Sequence, residues 1–132
     1  MSNKLRCICL VDDDNSTNFF NKWLIDQSNI TNRLEVFKNG QEMFDYLENT
    51  GADDHPELIF LDLNMPVMDG YELLGSIATK YGDAFCAKVV IMLTNPLLEG
   101  QEAKLEKFEI ADYVRKPLTE EKLQKLYSQL FS

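Results

Sequence analysis

No apolar run in the sequence approaches the ~18 residues that a helix needs to cross a bilayer. Nor does the amino-terminal stretch, Met1-Ser2-Asn3-Lys4-Leu5-Arg6, carry the apolar segment and small-residue cleavage site of a secretory signal; it leads straight into a strand pattern. Basic residues are scarce: 13 Lys and Arg stand against 22 Asp and Glu, a net charge of -9. Such a surface repels nucleic acid and anionic lipid, and suits a cationic partner patch or a metal ion. Cysteine is limited to Cys7, Cys9 and Cys86, an odd number without metal-ligand spacing. Cys7 and Cys9 lie at strand period and are expected on one face of a buried strand; reduced, buried thiols fit a cytoplasmic protein. No linker, repeat or low-complexity segment divides the 132 residues, which are enough for one domain and too few for two.

What is present centres on Leu58-Ile59-Phe60-Leu61-Asp62-Leu63-Asn64-Met65-Pro66-Val67-Met68-Asp69-Gly70. Four apolar residues in a row read as a strand buried on both faces, and the run ends abruptly at a carboxylate, Asp62. Asn64, Pro66 and Asp69-Gly70 are turn formers, so the chain leaves the sheet there. Asp69 with Glu72 forms a capping box for the next helix, which leaves Asp62 without a structural task. The carboxyl end of a buried parallel strand is where open α/β sheets bind ligands.

The same grammar repeats along the chain. Leu5 to Val11 form a strand pattern that ends at Asp12-Asp13-Asp14-Asn15, and a helix follows over Asn15 to Ser28 with Phe19, Phe20, Trp23 and Leu24 at helical spacing. Trp23 is expected in the core. Leu34 to Phe37 read as a second strand. A helix opening at Gly40 follows, with Met43, Phe44 and Leu47 inward, then a polar loop in which His55 is expected to be solvated. Leu73, Leu74, Ile77, Ala78 and Tyr81 mark the helix after the central strand. Val89 to Leu93 form the most strand-like run, ending at Thr94. The next helix, roughly Glu99 to Phe108, has Ala103, Leu105 and Phe108 as a thin apolar stripe. Ala111 to Val114 form the last strand, before Arg115-Lys116-Pro117. Thr119 caps a final helix that buries Leu123, Leu126, Tyr127 and Leu130. Five alternations of strand and helix imply an α/β fold, a parallel sheet with right-handed crossovers covering both faces.

Four of these strand ends bring polar groups to one edge: Asp12 and Asp13, Asp62, Thr94, and Lys116. Three carboxylates there repel one another, and a divalent cation is the natural resolution; oxygen ligands in an open, hydrated site suit Mg2+. A hydroxyl and an ammonium beside them can bind phosphoryl oxygens. The set suits in-line phosphoryl transfer with a carboxylate as nucleophile.

The segments Val11-Asp12-Asp13, Leu61 through Gly70, Met92-Leu93-Thr94 and Tyr113-Val114-Arg115-Lys116-Pro117 resemble the receiver domains of two-component response regulators, and the likeness spans nearly the whole chain. The resemblance implies a flavodoxin-like sheet of strand order 2-1-3-4-5 and a single receiver domain over residues 1–132. It implies that Asp62 accepts a phosphoryl group from a phosphohistidine on a histidine kinase or histidine phosphotransfer protein. It implies that Asp13, Asp62 and the carbonyl of Asn64 bind Mg2+ directly, with Asp12 reaching it through water. Lys116 is expected to pair with Asp62 before transfer and with the phosphoryl group after it. Thr94 is expected to move onto that group and Tyr113 to swing inward, altering the surface of the fourth helix, fifth strand and fifth helix for an unidentified downstream target. The Lys116–Pro117 bond is expected to be cis. The family usually has a small residue after the switch hydroxyl; here it is Asn95. In the family the side chains two past the acceptor and two past the Thr flank the path of hydrolytic water. Here these are Asn64 and Pro96, and only Asn64 offers polar atoms to orient that water.

Each assignment has a plainer rival. Asp14 reads as a solvated residue at a helix start, and Tyr113 as edge-strand packing. The rival functions are a constitutive, non-phosphorylated interaction module, an aspartyl-nucleophile phosphatase and a flavin-binding protein. The intact set of Asp13, Asp62, Thr94 and Lys116 argues against the first. Such phosphatases usually carry a second Asp two residues after the nucleophile as acid/base, where Asn64 stands and cannot transfer a proton. Asp12-Asp13-Asp14 would repel a flavin phosphate. The expected chain is thus not an enzyme beyond its own phosphorylation and dephosphorylation, and its output is by docking.

Overall fold

Alternating side chains on the central strand decide how the layers are arranged. A computed structural model describes residues 4–131. Strand β3, Leu58–Asp62, is buried along its whole length. Leu58 and Phe60 face one core; Ile59 and Leu61 face the other. Around it lie β1 (Ile8–Val11), β2 (Leu34–Phe37), β4 (Lys88–Leu93) and β5 (Asp112–Arg115), all parallel, in the order β2-β1-β3-β4-β5. In register, Val11 is beside Leu61 and Leu61 beside Ile91, which lies beside Tyr113. The carboxyl ends of the strands therefore lie along one rim. The order reverses between β1 and β3, which places the crevice of such a sheet at their ends.

Five helices cover the faces: α1 (Asn15–Ser28), α2 (Gly40–Asn49), α3 (Gly70–Lys80), α4 (Glu99–Leu105) and α5 (Glu120–Phe131). Met43 and Leu47 of α2, Leu73 and Ile77 of α3 and Leu105 of α4 pack on the Ile59 side, with Cys7 and Cys9 fully buried among them. Leu24 and Ile25 of α1 and Leu123 and Leu126 of α5 pack on the Phe60 side. Four of the five helix starts carry side-chain caps, α4 with Leu98 at its start being the exception. Asp14 accepts from the Thr17 N–H, Asn39 from the Glu42 N–H, and Asp69 with Glu72 forms the reciprocal box. The Thr119 hydroxyl accepts from the Lys122 N–H at 3.2 Å.

Several expectations are corrected. Trp23 is not core: it is 53% exposed, with Phe19 at 76% and Phe20 at 44%. The inner face of α1 begins with two buried amides, Asn18 and Asn21, and only then turns apolar at Leu24 and Ile25. On that inner side Asn18 Nδ2 donates to the Asp12 carbonyl at 2.7 Å while Leu24 and Ile25 enter the core, which leaves the aromatics outward. His55 is not solvated. Its ring is half-buried against Tyr81 and Phe85, with Nε2 3.0 Å from the Leu47 carbonyl. Cys86 is exposed, unlike Cys9 of β1 and Cys7 just before that strand, and only Cys9 of the expected pair lies within it. The chain leaves α4 at Leu105, short of Phe108, and Ala103 faces solvent, so Leu105 alone anchors that helix in the core. Strand β1 starts at Ile8, because Leu5 makes only an isolated bridge to Thr31.

Candidate functional site

The strand ends build the site. Asp62 closes β3 and is 7% exposed; Asp12 follows β1 and is 5% exposed; Asp13 beside it is exposed. One carboxylate oxygen from each lies within 4.8 Å of the others. Lys116 reaches in from the turn after β5. Its Nζ donates to Asp12 Oδ2 at 2.6 Å and stands 3.7 Å from Asp62 Oδ1. The expected pairing of Lys116 with Asp62 is therefore secondary here, and Asp12 is the nearer partner. Three carboxylates against one ammonium leave two negative charges unbalanced. That surplus, carried by oxygen donors alone, fits one divalent hard cation.

Every polar atom of Asp12 is engaged. Its N–H donates to the Phe37 carbonyl at 3.0 Å, its carbonyl accepts from Asn18, and Oδ1 accepts from the Asp14 N–H at 3.0 Å while Oδ2 takes Lys116. Sequence reasoning did not single out Asn18, whose buried Oδ1 finds no donor among the described residues. Amides carry no periodic signal, so a pattern search passes over this one.

Asp62 is less well satisfied. Burial, then the neighbouring Asp12 charge, push its carboxyl up to about 6, against relief from Lys116 and the Asn64 backbone N–H. For Lys116, burial opposes the charged form, but Asp12 and then Asp62 and Asp13 outweigh it and hold the ammonium protonated above the ordinary lysine range.

Beside Asp62 a cavity of about 340 Å³ opens, lined among others by Asn64, Thr94, Asn95, Pro96 and Leu98. Thr94 and Asn64 are exposed within reach of incoming solute. Tyr113 on β5 is 41% exposed, in an outward position. The Lys116–Pro117 bond is cis. The loop after Asp62 is tightly constrained. Val67 has φ 70°, a left-handed value that a β-branched residue rarely adopts. Gly70 backs directly onto the end of β3: a Cβ there would lie 2.8 Å from the Asp62 carbonyl oxygen. The structure thus brings Asp12, Asp13, Asp62 and Lys116 together and places Thr94 and Asn64 around the adjoining cavity. Tyr113 stands outside it.

Residues 8–128 match the family model described as response regulator receiver domain. The chain is 27% identical over 125 residues to the probable methanogenesis regulatory protein FilR2 of Methanothrix harundinacea, covering 93% of this chain and 79% of that protein. Over 72 residues it is 38% identical to protein PilG of Pseudomonas aeruginosa, covering 54% of this chain and about half (52%) of that one. Among solved structures, a two-component response regulator from Cytophaga hutchinsonii superposes with a TM-score of 0.83 at 27% identity, covering 96% of this chain and 97% of that one.

Proposed function

Because the chain belongs to the response regulator receiver domain family, we propose that it is the receiver of a two-component phosphorelay and takes a phosphoryl group onto Asp62. The donor is a phosphohistidine on a histidine kinase or histidine phosphotransfer protein. The observation that supports this most strongly is Asp62 itself: a buried, poorly compensated carboxylate facing a cavity, with Lys116 in reach and two further carboxylates beside it.

In the proposed reaction an Asp62 carboxylate oxygen attacks phosphorus in line. The P–N bond to the donor imidazole breaks, and the imidazole nitrogen keeps the electron pair and takes up a proton. Asp13, Asp62 and the Asn64 carbonyl would hold Mg2+ directly, and Asp12 through water. When bound, the ion neutralises charge on the transferring oxygens. Lys116 exchanges its contact with Asp12 for a new phosphoryl oxygen, and the Thr94 hydroxyl donates to another. Tyr113 then turns inward and the surface of α4, β5 and α5 changes, which controls binding of a downstream protein. Turnover is limited to the chain's own phosphorylation and dephosphorylation, and we place it in the cytoplasm, where free Cys7 and Cys9 stay reduced.

The test is intact-mass measurement after incubation with acetyl phosphate, with and without Mg2+. The expected outcome is one phosphoryl adduct that requires the metal and is absent in Asp62→Asn. An adduct in Asp62→Asn, or none in the wild type, rejects the assignment and favours a constitutive interaction module.

A further inference from the structure

Lys122 stands in the first turn of α5, next to Glu120 and Glu121. A cation there faces the positive end of the helix dipole, where carboxylates belong. The contacts of its side chain account for the placement. Its ammonium turns back and donates to the Arg115 carbonyl at 2.8 Å and the Pro117 carbonyl at 3.0 Å. Those two carbonyls flank Lys116 on either side. From the opposite direction, the Lys116 N–H donates to the Leu93 carbonyl at 2.7 Å, tying the same turn to the end of β4 next to Thr94. The turn that presents Lys116 is thus clamped between β4 and the start of α5.

We propose that Lys122 is a positioning residue for the reaction at Asp62. Its ammonium fixes the turn over Arg115–Pro117, and the fixed turn holds Lys116 Nζ between Asp12 and Asp62. This rests on the reading of Asp62 as phosphoryl acceptor. Lys122 itself touches no reacting atom. A long, freely rotating Lys116 side chain magnifies any play at its base, and displacement of a reacting-site group by about 1 Å costs up to about a hundredfold in rate. Nothing in the periodicity of α5 marks this residue; the one signal is a lysine among the carboxylates of a helix start.

The experiment compares the wild type, Lys122→Met and Lys122→Arg. Adduct formation from acetyl phosphate at saturating Mg2+ is followed by intact mass. Amide hydrogen exchange at Lys116 is followed by NMR without any phosphodonor. Lys122→Met is expected to slow adduct formation about tenfold and speed exchange at Lys116 by a similar factor, with Ile59 and Phe60 at the sheet centre unchanged. Lys122→Arg, which keeps a charged fork on the two carbonyls, is expected to restore most of both. Wild-type behaviour of Lys122→Met to within about twofold in either measurement overturns the proposal. So does equal impairment in Lys122→Arg. A wild type that takes no phosphoryl group overturns the acceptor reading and Lys122's part in it; the exchange comparison tells that failure from failure of the clamp alone.

Discussion

The two rims of the sheet are built on opposite terms. At the amino-end rim the cations are paired with carboxylates and carbonyls, although Arg33 Nε makes no hydrogen bond of its own among the described residues. The Arg6 N–H donates to Glu57 Oε2 at 2.6 Å, and its guanidinium to the His55 carbonyl at 2.8 Å. Arg33 donates to the Tyr46 hydroxyl at 2.7 Å and the Asp54 carbonyl at 2.8 Å, with Glu35 3.4 Å from its Nε. At the carboxyl-end rim carboxylates outnumber cations, and one of them, Asp62, is pushed up to about 6. Charges balanced sign for sign suit a joint. A surplus of one sign with a perturbed carboxyl is the pattern of sites that bind something, so the imbalance singles out the carboxyl-end rim as the candidate site.

The largest test of this contrast is Asp62→Asn in metal-free buffer. Removing a buried, crowded charge is expected to raise the unfolding free energy by on the order of 2 kcal/mol near neutral pH. The sign follows from linkage: the folded pKa of about 6 lies above the ordinary 3.8, so the folded state binds this proton more tightly than the unfolded chain does. The penalty on the wild type is fully present above the folded value and disappears as pH falls through it toward 3.8. The advantage of the variant in urea unfolding should therefore shrink over that interval. No advantage at neutral pH would mean the carboxyl rim is not strained.

The balanced rim should respond with the opposite sign. Arg33→Met strips donors from the Tyr46 hydroxyl and the Asp54 carbonyl and is expected to cost about 1–2 kcal/mol in the same urea assay. A neutral or stabilising result erases the difference between the rims. The smallest effect is expected away from both. Trp23→Ala should change stability by less than about 0.5 kcal/mol, since the ring is half exposed. A loss several times larger would put the ring back among the core residues.

The sequence made the sheet legible because its strands are short apolar runs that stop at polar residues, and a strand has only two faces to choose between. The site was legible for the same reason: Asp12, Asp62, Thr94 and Lys116 sit where those runs stop. Helix faces were harder. On α1 the aromatics outweigh Leu24 and Ile25 in any apolar count, yet the buried side is the one that carries Leu24 and Ile25 with the amides Asn18 and Asn21, and Asn18 bonds the Asp12 carbonyl there. His55 was misread because its cover, Tyr81 and Phe85, comes from residues distant in the chain. The preference of Lys116 for Asp12 over Asp62 depends on relative distances of about an ångström, which no spacing rule encodes.

The outward turn of α1 has a practical corollary. Trp23 is the chain's one tryptophan, and its helix is capped by Asp14, whose own N–H is held by Asp12. The protein therefore carries a single native fluorophore on the outer face of the helix that starts beside the acidic cluster. Its emission reports on the outer face of α1, and shielding of the indole from iodide quenching would register any protein that settles on that side.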